Sequence, residues 1–468
     1  MNRQENNQQE IIDQLKSALF AYRNFQFEEY VAQLEASRKS IEDAGDPPSL
    51  LGEWNILSAF QNGVDIANLL PVLRENVDMI SGFSRVFDHG TPLLFDLFDP
   101  FGTFWLKPGE AEDTAETLRE AEELWRRYTG GGQGITALYL ARLKYYQGSL
   151  KEANALAMES YALAEAKGQT LTQLGASDVL GLLMRHGMGD GHEAIKFVRK
   201  VRSGQVTSDK NCIQAAQLIL CGIYLALGVM TETPDFIRTG DFGIAASYEN
   251  TGWYPLEDKV SPWLIPSAIM MRMQYLSYAG KFVEALNLAD MAQHVYQIRI
   301  PLIDLYLDFW RCICYDTLGD NKRYRQRLVS LFDGCKQDGL WLIPAEDEVH
   351  KEDIILMAKQ HDNDTAEKIR SIGQGLLDAM RPIRESYLNE KFLKGMTPRE
   401  YDIAKLIYGG ATNGDVAKEL NISEFTVKNH LRHIYEKLEI SGRRELANAL
   451  EGAGEEIYAF WTNLGNKR

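Results

Sequence analysis

Lys428, Asn429, Arg432 and His433 fall within one short stretch near the C-terminal end of the chain. Side chains of these types hold phosphates and pair with the edges of bases, provided that one element presents them together. The surrounding run, SEFTVKNHLRHIYEKLE, supplies such an element. Val427, Leu431, Ile434 and Leu438 recur at i, i+4, i+7 and i+11, one apolar stripe of a helix. Lys428, Asn429, Arg432 and His433, with Glu436, then project from the opposite side. Ser423 is placed to cap this helix, and Asn421-Ile422 makes a tight turn before it. A shorter helix starting after Thr412 or Asn413 buries Val416, Ala417 and Leu420. Upstream, Thr397-Pro398-Arg399-Glu400 has the spacing of a capping box, in which Glu400 reaches back to Thr397. Pro398 sits at the first helical position, where a missing N–H costs nothing. That helix runs through Ala404 and Ile407 to Gly409-Gly410. Two helices joined by a short turn, the second with exposed Lys, Asn and Arg, describe a helix-turn-helix and its recognition helix.

The charge distribution fits this reading. Residues 397–450 hold 8 Lys+Arg and 8 Asp+Glu, net 0, whereas residues 428–444 hold 5 cations and 2 acids, net +3. The whole chain, with 50 Lys+Arg against 66 Asp+Glu, is at -16. An acidic body discourages coating of nucleic acid or membrane and leaves one small basic face to meet phosphates.

Other chemistry finds little support. The eight His are dispersed, and His186, His192, His350 and His361 form no metal-ligand spacing. No nucleophile elbow or zinc motif is present, and Glu346/Asp347/Glu348 reads as a solvated turn. The Gly-rich run Thr129–Gly134 lacks the Gly-Lys-Ser/Thr ending of a phosphate-binding loop and reads as a turn. Cys312 and Cys314, two apart, point to opposite sides of a helix, and all five Cys read as small buried hydrophobes of a reducing compartment. No enzyme, cofactor or metal is expected.

The remaining sequence must carry this face. At 468 residues, 45% apolar and 25% charged, the chain is long enough for two or three globular domains. The N-terminus lacks the layout of a signal peptide. The most apolar stretch, Ala215–Met230, is too short to span a bilayer and reads as a buried helix. A cytoplasmic protein with no membrane partner is expected. Helical periodicity dominates, and no run of alternating β-branched residues stands out. Turn glycines recur at Gly148, Gly189, Gly228, Gly280 and Gly319, near a period of 40 except for an insertion at Thr251–Trp263. Ala153, Ala194 and Ala285 follow five residues after their glycines, where a small side chain lets paired helices approach. This is the pattern of a helix-pair solenoid. Phe25–Ser40 is a further candidate unit, and the segment 81–110 reads as loops and short helices packed on the solenoid. The expected fold is all-α: a TPR-like helical-repeat domain over 1–380, a polar linker over 381–395, and the small C-terminal domain over 396–468.

Residues 396 to about 455 resemble the LuxR-type DNA-binding domain. The resemblance rests on TPRE, the Gly410–Ala417 segment, IS-x-x-TVK-x-H, KL, and Arg443 with Leu446. It implies that Lys428, Asn429 and Arg432 face bases and phosphates, that Thr426 and Lys437 lie near backbone phosphates, and that His430 is structural. His433 and Arg443 complete the expected DNA-contact set. Gly414 stands where the family often has Lys, and Glu439 and Gly442 replace a common Gly and Asn. A last helix, Arg444 to about Leu450 or on through Ile457, would pair two domains. More weakly, ISGFSRVFDHGTPLLF, KPGEAE, PDFIRTGDF and YAGKFVEAL resemble the helical sensor region of large ATP-dependent MalT-like activators, here without the ATPase module. The resemblance implies a regulator that binds a double-stranded DNA operator as a homodimer under control of a small-molecule or protein effector. The alternative is a helical-repeat interaction scaffold with a DNA-targeting domain. Trp253, Tyr254, Trp263 and Trp341 either stack on such a ligand or pack between repeats, and packing is the expected role.

Overall fold

The computed structural model describes residues 3–24, 26–62, 65–87, 96–189, 191–226, 233–246, 253–255, 259–296, 298–346, 351–387, 398–408, 410–420, 422–438 and 440–446. The body opens with α1 (Arg3–Arg23), α2 (Phe27–Asp43), α3 (Pro48–Ser58) and α4 (Ile66–Asn76), followed by the short α5 (Pro100–Phe104) and the long α6 (Ala111–Thr129). Next come α7 (Ile135–Tyr146), α8 (Leu150–Lys167), α9 (Thr170–Met184), α10 (His192–Arg202), α11 (Lys210–Ala226) and α12 (Asp235–Thr239). They are followed by α13 (Ile265–Tyr278), α14 (Phe282–Asp290), α15 (Pro301–Thr317) and α16 (Asn321–Lys336), then α17 (Leu342–Ala345), α18 (Lys351–His361) and α19 (Asn363–Tyr387).

Sequential helices pair as hairpins, α1 with α2, α7 with α8, α9 with α10, α13 with α14 and α15 with α16. The first helices of the repeats, α7, α9, α11, α13 and α15, also touch one another in turn. Such an inner row with partners outside is what stacked helix pairs produce. The turn glycines Gly148, Gly189, Gly280 and Gly319 have φ between +70° and +76°, as helix ends of this kind require. Gly228 lies outside the described residues. Ala153, Ala194 and Ala285 are buried at the seams.

The Phe-rich segment packs inward as expected. Phe101, Phe104 and Trp105 are buried, with Phe101 and Trp105 stacked at 5.0 Å. Asp338 ties this segment to the far end of the body, accepting Trp105 Nε1 at 3.1 Å and the Ala111 amide at 3.0 Å. Gly148, in the α7–α8 turn, approaches Ile372 on α19, so the last helices return to the first repeats.

Three observations depart from expectation. A two-stranded antiparallel hairpin, β1 (Ile244–Ala246) and β2 (Trp253–Pro255), pairs Ile244 with Pro255 and Ala246 with Trp253. Strands of three residues are too short for alternation to show in sequence. The polar stretch from Arg381 begins inside α19, which continues to Tyr387. Glu346 is no solvated turn residue: its side chain is 14% exposed and faces Arg185 at 3.6 Å. All five Cys are free and buried, and no helix among the described residues is long and apolar enough to cross a membrane.

Candidate nucleic-acid interface

A second core, separate from that of the body, is built by α20 (Pro398–Tyr408), α21 (Asn413–Glu419) and α22 (Glu424–Leu438). Ile403, Ala404 and Ile407 meet Val416 and Ala417, and the stripe Val427, Leu431 and Ile434 closes the cluster with Leu446. Leu420 and Leu438 are half-buried at its edge. The three helices contact one another pairwise.

Local chemistry fixes the starts of α21 and α22. Thr412 and Asp415 form a reciprocal capping box: Thr412 Oγ1 accepts the Asp415 amide at 3.2 Å, and Asp415 Oδ2 accepts the Thr412 amide at 2.8 Å. The Thr412 hydroxyl, which donates to Asp415 Oδ2 at 2.6 Å, and then the Thr412 amide hold the Asp415 carboxyl below the usual carboxylate range. Ser423 Oγ accepts the Thr426 amide at 3.1 Å and lies 2.8 Å from the Thr426 hydroxyl, which caps α22. Ser441 donates from its amide and hydroxyl to Glu445, both at 2.7 Å, at the start of the next turn of helix.

The face opposite the core stripe holds the expected residues. Lys428, Arg432 and His433 are exposed, and Asn429 is half-exposed. With about 100° per residue, Lys428, Asn429 and Arg432 lie within one arc of about 100°. Glu436 shares the arc, and its Oε1 stands 3.8 Å from Arg432 Nε, so one acid tempers the cationic face. His430 and Thr426 are half-exposed at its flanks.

Two further expected DNA contacts, Lys437 and Arg443, are tied to other parts of the domain. Lys437 Nζ donates to Glu400 Oε2 at 2.7 Å, and Glu400 is only 3% exposed. Glu400 was expected to turn back to Thr397. Thr397 lies outside the described residues; the Glu400 carboxylate joins α20 to α22. Arg443 donates to the Ala411 carbonyl in the turn before α21, while its residue remains exposed. Residues 447–468, which include most of the expected pairing helix, lie outside the described residues.

Residues 394–450 match the family model described as "Bacterial regulatory proteins, luxR family". The C-terminal domain is a luxR-family helix-turn-helix. The chain is 39% identical over 56 residues to the HTH-type transcriptional regulator MalT of Vibrio cholerae, covering 12% of this chain and 6% of that protein. It is 42% identical over 50 residues to MalT of Vibrio parahaemolyticus, covering 11% and 6%. It is 30% identical over 117 residues to the nitrate/nitrite response regulator protein NarL of Escherichia coli K12, covering 21% and 54%. The chain therefore spans a small share of the MalT relatives and about half of NarL.

The body holds a second feature of chemical interest, one that sequence reasoning did not reach. The inner helices α7, α9, α11, α13 and α15 line a cavity of about 450 Å³, which Glu346 and Leu376 also border. One wall is charged. Arg142 lies 3.2 Å from Asp99 and 3.0 Å from Asp178, and Arg185 faces Glu346. Burial raises the Asp178 carboxyl despite Arg142. Much of the remaining lining is apolar or aromatic, with Met270, Met271, Tyr306, Phe309 and Trp310. Of the aromatic residues singled out in sequence, Trp263 and Trp341 lie elsewhere. Trp341 is buried against Phe332 at 5.2 Å. Trp263 packs on Tyr22 at 5.8 Å, donates to the Arg23 carbonyl at 3.1 Å, and borders a smaller cavity of about 320 Å³. Of Trp253 and Tyr254, the backbone in β2 alone is described. Among the described residues no group of three or more His, Cys, Asp or Glu is arranged to hold a metal ion.

Proposed function

We propose that the chain is a transcription regulator in which the helical body receives a signal and governs operator binding by two C-terminal domains acting as a homodimer. One observation carries the DNA-binding part: α22 buries Val427, Leu431 and Ile434 while Lys428 and Arg432 stay exposed on the other side. A helix so divided can enter a major groove without disturbing its own core. Lys428, Asn429 and Arg432 face the bases and nearest phosphates, with Thr426 and His433 on the flanks. Lys437 and Arg443 act first as struts of the domain.

The cavity in the body favours a small molecule as the signal. Its volume is within the range of ligand sites, roughly 300–1,000 Å³, and it sets a few charged groups beside apolar ones. Five successive inner helices line it, so an occupant that prefers one arrangement of the repeats shifts the population toward that arrangement. The transcriptional regulator MalT and the response regulator NarL share sequence with part of this chain, which supports the DNA-binding part of this reading.

The test is footprinting of the full-length chain on duplexes it selects from a random library. Two protected half-sites related by two-fold symmetry, about one helical turn apart, are expected. A single asymmetric half-site at saturation would remove the dimer from the reading, and failure to select any duplex would remove DNA binding.

A further inference from the structure

Phe425 stands in the first turn of α22 and is 73% exposed, more than any other large hydrophobic side chain among the described residues. Single exposed apolar residues are ordinary on protein surfaces and need no explanation by themselves. The position of this one does. Lys428, Asn429 and Arg432 follow Phe425 at i+3, i+4 and i+7, so the ring shares their face and lies opposite Val427, Leu431 and Ile434. It is the apolar member of an otherwise polar reading surface. It also lies at the N-terminal end of the recognition helix, the end that approaches base edges when such a helix docks.

The major groove offers one apolar feature that a benzyl side chain can recognise, the 5-methyl group of thymine. We propose that Phe425 reads thymine: its ring packs on a thymine methyl at one position of each half-site and sets the base preference there. The folded domain leaves the ring in water, and docking removes both ring and methyl from it. The hydrogen-bonding residues of the same face cannot sense the methyl, so Phe425 adds a discrimination that they lack. This inference rests on the DNA-binding role of α22 argued above.

The experiment uses the full-length chain and the tightest duplex that it selects from a random library. Each thymine of that duplex is replaced singly by deoxyuridine, which removes the methyl and leaves every hydrogen-bonding group in place. Wild-type protein should bind about fourfold more weakly when the thymine that Phe425 touches is replaced, the loss expected for one buried carbon. Phe425→Ala should bind the thymine and uracil duplexes equally, with unchanged circular dichroism and melting, since the ring supports no core. Phe425→Leu should keep part of the discrimination. Lys428→Ala should weaken binding to both duplexes and keep their ratio.

A wild type indifferent to uracil at every position overturns the proposal, and so does a Phe425→Ala protein that still distinguishes thymine from uracil. If Phe425→Ala instead changes the sedimentation of the free protein and leaves the thymine preference intact, the ring serves a protein contact and the proposal is equally overturned. A full-length chain that selects no duplex sinks the DNA-binding reading and this one with it. The other outcomes sink this one alone.

Discussion

Lys428 and Lys437 carry the same charge on the same helix, yet the structure gives them different surroundings. Lys428 is exposed on the reading face, whereas Lys437 donates to the buried Glu400. Alanine at either position therefore separates recognition from stability. Lys428→Ala and Arg432→Ala should each weaken operator binding about tenfold or more at matched salt. Their melting should stay within about 0.5 kcal/mol of wild type, because neither side chain supports the core. Lys437→Ala should lower the stability of the C-terminal domain by about 1–2 kcal/mol, since it leaves Glu400 buried without its cation. Melting curves together with gel shifts across a salt series distinguish the cases, and a Lys437→Ala protein that melts like wild type would return Lys437 to a phosphate role. In the body, His186 carries a second residue-scale consequence. Burial, aided by Arg185, pulls its imidazole down to about 4, so between about pH 6.5 and 4 the unfolded chain binds a proton that the folded chain refuses. His186 therefore lowers stability on acidification through that window, by on the order of 3 kcal/mol. Asp96 works the other way: burial raises its carboxyl to about 6, so the folded chain takes up the proton and gains stability as pH falls from 6 toward 4. In His186→Gln the His186 loss is removed while the Asp96 gain remains. The melting temperature of that variant should fall less between pH 7 and 4.5 than the wild type's, and parallel curves from calorimetry would refute the assignment.

Turns and helix starts show where local sequence decides structure and where a distant partner does. Gly148 and Gly319 share a φ of +76°, and both were legible as turn glycines from their spacing. What spacing does not reveal is the neighbour. A Cβ at Gly319 meets nothing within 4 Å, whereas one at Gly148 lies 2.3 Å from Ile372 Cδ1 and 2.9 Å from its Cγ1. Ile372 is β-branched and stiff at χ1, so it cannot simply swing away. Gly319→Ala should cost about 1–2 kcal/mol from the left-handed backbone alone. Gly148→Ala should cost about 1–3 kcal/mol more from the overpacked seam with α19. Urea titration measures the difference, and equal costs would show that α19 does not seat against the α7–α8 turn. The same limit explains the helix starts of the C-terminal domain. The Thr397–Glu400 pattern has the Ser/Thr-x-x-Glu/Gln spacing of a capping box, and nothing in that local pattern foretells that Glu400 also accepts from Lys437, 37 residues away. The observed box, Thr412 with Asp415, has Asp at its third position and so falls outside that motif. Apolar stripes, caps and turns were readable because their partners lie within one turn. Glu346 was misjudged because its partner, Arg185, lies far from it in sequence, and the second roles of Glu400 and Arg443 were out of reach for the same reason.

At the scale of the molecule, two separate cores divide the work. The helical character of the body was legible because its apolar residues recur with the period of a helix that buries one face. Its cavity was not, since Arg142, Asp178 and Arg185 look in sequence like ordinary charges on amphipathic helices and meet only when α7 and α9 stack. The C-terminal core draws every member from residues 403–446, which bears on how DNA binding depends on the rest. A fragment of residues 393–468 contains that entire core together with the Thr412 and Ser423 caps and the Glu400–Lys437 pair. It should therefore fold alone and show a helical circular dichroism spectrum with cooperative melting. Its DNA affinity should nonetheless be far below that of the full-length chain. If the body holds two domains together, the second half-site is bound at an effective concentration set by that linkage, and the gain ranges from about 10² to 10⁴. The fragment should bind single half-sites as well as the full-length protein does and lose the advantage on paired half-sites alone. Titrations against one-site and two-site duplexes make the comparison, and equal affinity of fragment and full-length protein on the paired site would show that the body contributes nothing to pairing.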